Sequence, residues 1–187
     1  SAIAGAAPVL PGQIVELDWS GGNVRDSRCE PEAARLYDGE PLDRVGKNLG
    51  SLIQTAVERR LANNPSPVVL LSGGVDSTLV TSVVEPLCRQ NGSLPPLRAL
   101  TLGSLVPLTY DERYARHAAR RIGVGLQILK PSFGNLGETI INALDLQDEP
   151  LGMPSYFLLE RLTNAAAKHS RVFLSGEGGD EFFLGYG

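Results

Sequence analysis

The sequence predicts an α/β fold in which a mostly parallel, twisted sheet is covered by helices on both faces. Short apolar runs alternate with longer helical patterns between residues 68 and 174. The first and the last of these runs both pass directly into a Ser-Gly turn. Because neighbouring parallel strands need a crossover connection, usually a helix, this alternation favours a parallel sheet with both faces buried.

Length and composition fit one soluble domain that handles small molecules. The 187 residues suffice for one core, and 42% hydrophobic with 20% charged residues is ordinary for a globular chain. No apolar run approaches the ~18 residues of a membrane span. The net charge of −4 argues against nucleic acid as a partner. Two distant cysteines predict neither a disulfide framework nor a zinc site, so we expect a cytoplasmic protein without membrane contact.

Hydrophobic periodicity and the Gly and Pro positions define the expected elements. Tyr114 and Ile122 are expected in the buried stripe of the third helix, and Trp19 is expected to be a local packing anchor. Pro86 is expected to kink or shorten the helix that contains it. The predicted strands are 13–19, 68–71, 97–103, 125–130 and 171–174, and the predicted helices are 42–61, 76–90, 111–122, 138–146 and 154–169.

The first Ser-Gly turn has the chemistry of a phosphate site. Residues 68–78 are VVLLSGGVDST, a buried strand followed by a loop and a helix start. The free N–H groups and the dipole of a helix N-terminus attract anions, and glycines let the backbone approach a ligand closely. Asp76 cannot face a phosphate without a cation between them, and Mg²⁺ accepts carboxylate and phosphate oxygens together. The alternative is a strand-to-helix turn without a ligand, in which Gly and Ser only allow the backbone conformation.

The second Ser-Gly turn adds acids to the same predicted edge of the sheet. Residues 174–186 are LSGEGGDEFFLGY, again at the end of a buried strand. Ligands of open parallel sheets bind beyond the carboxyl ends of the strands. If the two strands are neighbours, Asp76 and Asp180 would hold Mg²⁺ against one pyrophosphate. The alternative to a metal site is that these acids lie in a solvated surface turn without a function.

The two motifs together resemble a known family. SGGVDST resembles the PP-loop of the ATP pyrophosphatases, which have the adenine nucleotide alpha hydrolase-like fold. LSGEGGDEFFLGY resembles the corresponding segment in the synthetase domain of glutamine-dependent asparagine synthetases, whose relatives include β-lactam synthetases and lasso-peptide cyclases. The looser resemblance extends over residues 8–187. It implies an AMP-forming carbon–nitrogen ligase in which ATP and Mg²⁺ activate a carboxylate as its adenylate, which a nitrogen nucleophile then converts to an amide.

The resemblance also implies roles for individual residues. Glu177 would lie near the activated carboxyl group or the incoming amine, as a catalytic positioning or proton-handling group. Asp76 and Asp180 would be the metal ligands. Leu71 and Leu102 would pack around the adenine, although both would be core residues in any fold. The remaining nucleotide contacts would come from Ser72, Gly73, Gly74, Asp76, Ser77, Ser175 and Gly176.

Departures from the family pattern limit these expectations. Residues 1–41 are expected to be a linker at the end of an absent N-terminal domain, and residues 42–187 a synthetase domain that is incomplete at its C-terminus. The family's glutaminase domain has a nucleophilic Cys at its N-terminus, whereas this chain begins with Ser1, so glutamine hydrolysis is not expected. The family's synthetase domain continues past Gly187 and contributes a catalytic Lys there. A second chain or a further C-terminal segment is therefore expected to complete the site.

Several function classes stay open at this point. Residues 151–156 contain no Arg to clamp an aspartate side chain, so the carboxylate and the amine are not specified. A ring-closing amide synthetase is one alternative to asparagine synthesis. A tRNA-thiolating ATP pyrophosphatase is a second, and the acidic charge and the missing Cys pair argue against it. A non-catalytic nucleotide-binding subunit that is completed by a partner chain is the third.

Overall fold

A computed structural model describes residues 5, 7–29, 39–62, 66–90, 96–103, 110–130, 136–145, 155–183 and 185. The chain divides into two compact units, Ser1–Arg44 and Val45–Gly187. This division lies three residues after the boundary expected at residue 41. The expectation that the first part ends another domain stays a prediction.

The first unit contains an antiparallel hairpin. Strand β1 (Gln13–Asp18) pairs with strand β2 (Asn23–Arg28), and the sequence analysis predicted only the first of them. Trp19 lies in the connecting turn and is 92% exposed, so the prediction that it anchors local packing is wrong. Strand β2 was missed because its six residues are all exposed and show no apolar alternation.

Asp18 holds the turn of this hairpin together. Its Oδ1 accepts hydrogen bonds from the Ser20 hydroxyl at 2.6 Å and from the backbone N–H groups of Ser20 and Gly21 at 2.9 and 3.1 Å. The Ser20 hydroxyl, and then these backbone donors, lower the pKa of Asp18. A lowered pKa means that the ionised form stabilises the turn. This stabilisation is present above the unfolded pKa of about 3.9 and is lost as the pH falls through the folded pKa.

Six helices and four further strands follow in the described part of the chain. Helix α1 begins within the first unit and continues into the second. None of the described helices is both long and apolar enough to cross a membrane. The elements are α1 (Leu42–Leu61), β3 (Val68–Leu70), α2 (Val75–Gln90), β4 (Arg98–Leu102), α3 (Tyr110–Ile122), β5 (Gly125–Leu129), α4 (Leu136–Asp145), α5 (Ser155–Ala167), β6 (Phe173–Leu174) and α6 (Gly179–Phe183).

The four strands of the second unit form one sheet, in the order β5-β4-β3-β6, and every pairing in it is parallel. Val68 of β3 lies opposite Arg98 of β4 on one side and opposite Phe173 of β6 on the other. The carboxyl ends of β3 and β6 are therefore adjacent. The neighbouring placement that the sequence analysis required for one shared site is confirmed.

Apolar side chains alternate between the two faces of the sheet along the central strands β3 and β4, so both faces are buried. One core cluster combines Val69, Leu71 and Ala99 with side chains of α1, α2 and α3. A second cluster combines Val68 and Leu100 with Leu162 and Ala166 of α5. Helices on both faces of a parallel sheet confirm the predicted fold class.

The structure corrects details of the helix predictions. Tyr114 is 58% exposed rather than buried, because only Ala115, Ala118 and Ala119 of its helix reach the core. Helix α2 continues past Pro86 to Gln90 and is not shortened there. The predicted ends of the fourth and fifth helices, at residues 146 and 154, lie outside the described residues. The Gly-rich turn expected at residues 175–181 passes into the short helix α6 at Gly179.

Burial predicts different reactivities for the two cysteines. Burial, with a further contribution from the negative charge of Glu85, raises the pKa of the Cys88 thiol, whereas Cys29 is exposed. Because the thiolate is the reactive form, iodoacetamide at neutral pH should alkylate Cys29 first and Cys88 only after unfolding. Peptide mass spectrometry over a time course measures both rates. Equal rates in the folded protein would contradict the burial of Cys88.

Candidate functional site

Hydroxyl groups hold the loop between β3 and α2 in a tight turn. The Ser72 and Ser77 hydroxyl oxygens lie 2.9 Å apart, and the Gly74 N–H donates to the Ser72 hydroxyl at 3.4 Å. The Ser77 hydroxyl also donates to the Gly74 carbonyl at 3.3 Å. These bonds arrange the loop around the first turn of α2, where backbone N–H groups lack helical partners. Such a turn is suited to binding an anion.

Gly73 shapes this loop by packing against α3. Its φ of +90° favours glycine, and an added Cβ would overlap the backbone of Tyr114 and Ala115. Gly73 does not line the cavity described below, unlike the other predicted nucleotide-contacting residues. Its position indicates that it brings the loop against α3, and a direct ligand contact stays a prediction.

The second loop packs directly onto the first. A Cβ on Gly176 would lie 2.5 Å from the Ser77 backbone nitrogen and 2.8 Å from the Asp76 Cβ. A Cβ on Gly179 would overlap the Asp76 carboxylate. At Gly176 the neighbouring atoms include backbone, so only glycine allows this approach, whereas at Gly179 a Cβ would require the Asp76 side chain to move. The start of α2 and residues 175–180 therefore form one surface, with the Asp76 carboxylate against the backbone of the second loop.

A cavity of about 730 Å³ opens over these loops, within the range of small-molecule sites. Among the residues that the sequence analysis proposed for the site, it brings together Leu71, Ser72, Gly74, Asp76, Ser77, Leu102, Ser175, Gly176, Glu177 and Asp180. The sequence analysis assigned no ligand role to further lining residues, which include Thr101, Asp111, Leu159, Glu181 and Phe183.

The residues that the sequence analysis missed carry weak signals in the sequence. Thr101 is one polar residue within an apolar strand, which is unremarkable by itself. Asp111 is an acid in the first turn of a helix, where acids are common, and its place in the cavity depends on how α3 packs beside β4. Leu159 lies on α5, which crosses the opposite face of the sheet. None of these positions follows from a local pattern.

An ion pair between buried Glu112 and exposed Arg116 fixes the helix turn that carries Asp111. The Glu112 side chain accepts hydrogen bonds from Arg116 Nε at 3.0 Å and from Nη2 at 2.7 Å, and Glu112 is only 4% exposed. A Cβ on Gly103, at the end of β4, would lie 3.1 Å from the Glu112 carboxylate. The first turn of α3 is thus packed closely against the end of β4.

Every charged residue that lines the cavity is an acid. These residues are Asp76, Asp111, Glu177, Asp180 and Glu181. Within residues 45–187, the stretches outside the described residues contain no Lys, Arg or His in the sequence. A polyphosphate in this cavity would therefore meet acids, hydroxyls and helix N–H groups. The described lining residues offer it no basic side chain.

The donor set suits a hard divalent cation that is shared with a ligand. Among the described residues, no three His, Cys, Asp or Glu side chains cluster as a complete metal site. Mg²⁺ is usually bound by one or two carboxylates together with substrate phosphates, and it does not need an all-protein cage. Asp76 and Asp180 both line the cavity and meet this requirement.

The second unit has a parallel sheet with a Gly- and Ser-rich loop between a strand end and a helix, at the edge where ligands of such sheets bind. This arrangement is typical of α/β domains that bind nucleotides. The family model of asparagine synthase matches residues 48–187. The chain therefore belongs to the asparagine synthase family, as its two motifs predicted.

Individual relatives are distant and much longer than this chain. It is 27% identical to the glutamine-hydrolyzing asparagine synthetase of Mesocricetus auratus, over 96% of this chain and 35% of the relative. It is 30% identical to a putative asparagine synthetase of Methanocaldococcus jannaschii, over 83% and 29%. Amidase chyE of Penicillium rubens is 28% identical, over 80% and 24%. The chain thus spans about a quarter to a third of these curated relatives.

Solved structures share the fold at low identity. The NH3-dependent NAD synthetase of Campylobacter jejuni superposes with a TM-score of 0.51 at 15% identity, over 75% of this chain and 60% of that chain. A glutamine-dependent NAD+ synthetase of Acinetobacter baumannii, in complex with ADP, gives a TM-score of 0.51 at 18% identity, over 92% and 31%. These likenesses show the fold alone.

The contact between the two loops gives a prediction for Gly176. Gly176→Ala should lower the free energy of unfolding by about 1–3 kcal/mol, because the new Cβ forces the second loop away from Ser77 and Asp76. Denaturant unfolding measures the change. The control Gly50→Ala, in an exposed part of α1 with nothing near its Cβ, should stabilise by about 0.5–1 kcal/mol. Equal behaviour of the two variants would contradict the packed loops.

Proposed function

We propose that the second unit binds ATP with Mg²⁺ and activates a carboxylate for amide-bond formation, in the manner of an asparagine synthetase. The observation that carries this proposal is the contact between two acid-bearing, glycine-rich loops at the ends of the neighbouring strands β3 and β6. Membership of the asparagine synthase family supports the reaction class. The ADP bound to the Acinetobacter baumannii NAD+ synthetase is consistent with an adenine nucleotide in this fold.

The polyphosphate would bind at the start of α2. Backbone N–H groups of the first helical turn and the hydroxyls of Ser72 and Ser77 would donate to phosphate oxygens, which matches the chemistry of helix N-termini. Ser175 and Gly176 would close the other side of the phosphates, since Gly176 packs against the backbone of Ser77. The apolar lining, which includes Leu71 and Leu102, would receive the adenine.

Asp76 and Asp180 would hold the metal ion. When bound, Mg²⁺ supplies positive charge that neutralises phosphate oxygens and stabilises the charge that develops on the leaving pyrophosphate. This charge is needed because the charged lining is entirely acidic. The two aspartates would hold the ion from the two different segments, which are in contact with each other.

The reaction would proceed in two displacements. A carboxylate oxygen attacks the α-phosphorus of ATP, the bond to the bridging oxygen breaks, and pyrophosphate leaves. The nitrogen nucleophile then attacks the acyl carbon, AMP leaves, and the nitrogen loses a proton. Glu177 lines the cavity from within the second loop and would orient the amine or accept this proton. Positioning and charge stabilisation account for the catalysis.

Exposed apolar side chains at the rim of the cavity favour the proposal that further polypeptide covers the rim. Val75 and Phe183 both line the cavity, yet they are 82% and 62% exposed. Exposed apolar patches of this kind are typical of surfaces that bind other polypeptide. We expect a partner chain or further polypeptide to cover this rim and complete the acceptor side. The two alternative functions, a ring-closing synthetase and a nucleotide-binding subunit without catalysis of its own, would use the same nucleotide-binding residues.

The reaction class has a direct test. The protein with ATP, Mg²⁺ and a panel of carboxylic acids and amines should release AMP and pyrophosphate in equal amounts, measured by anion-exchange chromatography. Release of ADP and phosphate would contradict adenylation. Tight ATP binding without any acid-dependent pyrophosphate release would favour the non-catalytic subunit.

The metal assignment predicts a charge-specific loss. Asp76→Asn and Asp180→Asn should each weaken ATP binding in Mg²⁺ by at least about tenfold, because a neutral amide replaces an anionic metal ligand. Calorimetric titration with and without EDTA measures the effect. Asp145→Asn, at the exposed end of α4 and outside the cavity lining, is the matched control and should bind as the unsubstituted protein does. ATP affinity that EDTA leaves unchanged would argue against a bound metal.

A further inference from the structure

Asp111 is an acid of the cavity to which the proposed reaction gives no role. It is exposed, lies in the first turn of α3, and lines the cavity from outside the two loop segments. The other four acids of the described lining lie at the start of α2 or within residues 177–181. In the described part of the chain, the Asp111 carboxylate forms no ion pair. It is therefore available to a ligand in the cavity.

The strand order keeps Asp111 apart from the proposed metal site. Helix α3 packs against β4 and β5, whereas the second loop follows β6, on the other side of β3. The Asp76 carboxylate lies against Gly179 of that second loop, so it is directed to the β6 side. Neighbouring strands are about 4.8 Å apart, and β4 is two strand spacings from β6. Asp111 is thus on the wrong side to share an ion with Asp76 and Asp180.

Two close contacts fix the first turn of α3 at the ends of β3 and β4. A Cβ on Gly73 would overlap the backbone of Ala115, and a Cβ on Gly103 would lie 3.1 Å from the Glu112 carboxylate. Asp111 is four residues before Ala115 and lies on the same face of the helix. Because helical side chains tilt toward the N-terminus, Asp111 is directed past the start of α3, to the edge where the cavity opens.

We propose that Asp111 accepts a hydrogen bond from a ribose hydroxyl of the bound nucleotide. The proposal rests on the proposed function, which places the adenine against Leu71 and Leu102 and the phosphates at the start of α2. The ribose joins these two parts, so it would lie near the ends of β3 and β4, on the side of Asp111. Its 2′ and 3′ hydroxyls can donate, and an ionised carboxylate only accepts. An exposed carboxylate suits this hydrated sugar better than a base packed among leucines.

This assignment gives Asp111 an effect that other acids at helix starts do not have. An acid in the first turn stabilises its helix through the helix dipole, whichever ligand is bound. A hydrogen bond to ribose acts only on ligands that carry the hydroxyl. Asp111 would therefore make the site prefer ribonucleotides to deoxyribonucleotides, with no contribution to the affinity for the phosphates.

The test compares ATP with 2′-deoxy-ATP, 3′-deoxy-ATP and pyrophosphate, all in Mg²⁺, by calorimetric titration of the whole protein. The unsubstituted protein should bind at least one deoxy analogue about five- to tenfold more weakly than ATP. Asp111→Ala should bind ATP as weakly as that analogue and should not bind pyrophosphate more weakly. Asp111→Asn keeps an acceptor oxygen, so it should retain part of the preference for ATP.

Asp43→Ala is the matched control, because Asp43 lies in the first turn of α1 and outside the cavity lining. Both alanine variants lose an acid at a helix start, so both melting temperatures should fall slightly, but Asp43→Ala should keep the preference for ATP. Equal affinities of the unsubstituted protein for ATP and both deoxy analogues, or a preference that persists in Asp111→Ala, would overturn the ribose contact and leave the proposed function intact. If the unsubstituted protein bound neither ATP nor pyrophosphate, both proposals would be overturned.

Discussion

The parallel pairing of β3 with β6 is the constraint on which the candidate site depends. Val68 and Val69 lie opposite Phe173 and Leu174, so two segments about a hundred residues apart in sequence end at the same edge of the sheet. The pairing is short, and its register places Gly176 against the start of α2. A slip in this register would separate the loops and remove the shared surface.

Charge is the reason for proposing a cation in the site. Five acids and no described basic side chain line the cavity, so this segment would attract a polyphosphate only through helix N–H groups, hydroxyls and a bound metal ion. An ion between Asp76 and Asp180 would bring the loops together and complete the phosphate site.

The sequence predicted the parallel sheet and the two loops that line the cavity, because both depend on local patterns. Apolar runs that end in Ser-Gly turns identified β3, β6 and their loops. Tertiary packing decided what the patterns left open. Gly73 belongs to the phosphate motif but faces α3, Tyr114 follows the apolar period but is exposed, and Asp111 reaches the cavity only because α3 begins beside β4. Strand β2 has no apolar pattern to detect.

A double-mutant cycle on the two aspartates tests the central claim most directly. The Mg²⁺-dependent ATP affinity is measured for the unsubstituted protein, for Asp76→Asn, for Asp180→Asn and for the double variant. If both carboxylates hold one ion against one polyphosphate, the second substitution adds little to the loss caused by the first. Fully additive losses would show two independent sites and would contradict a single site built from both loops.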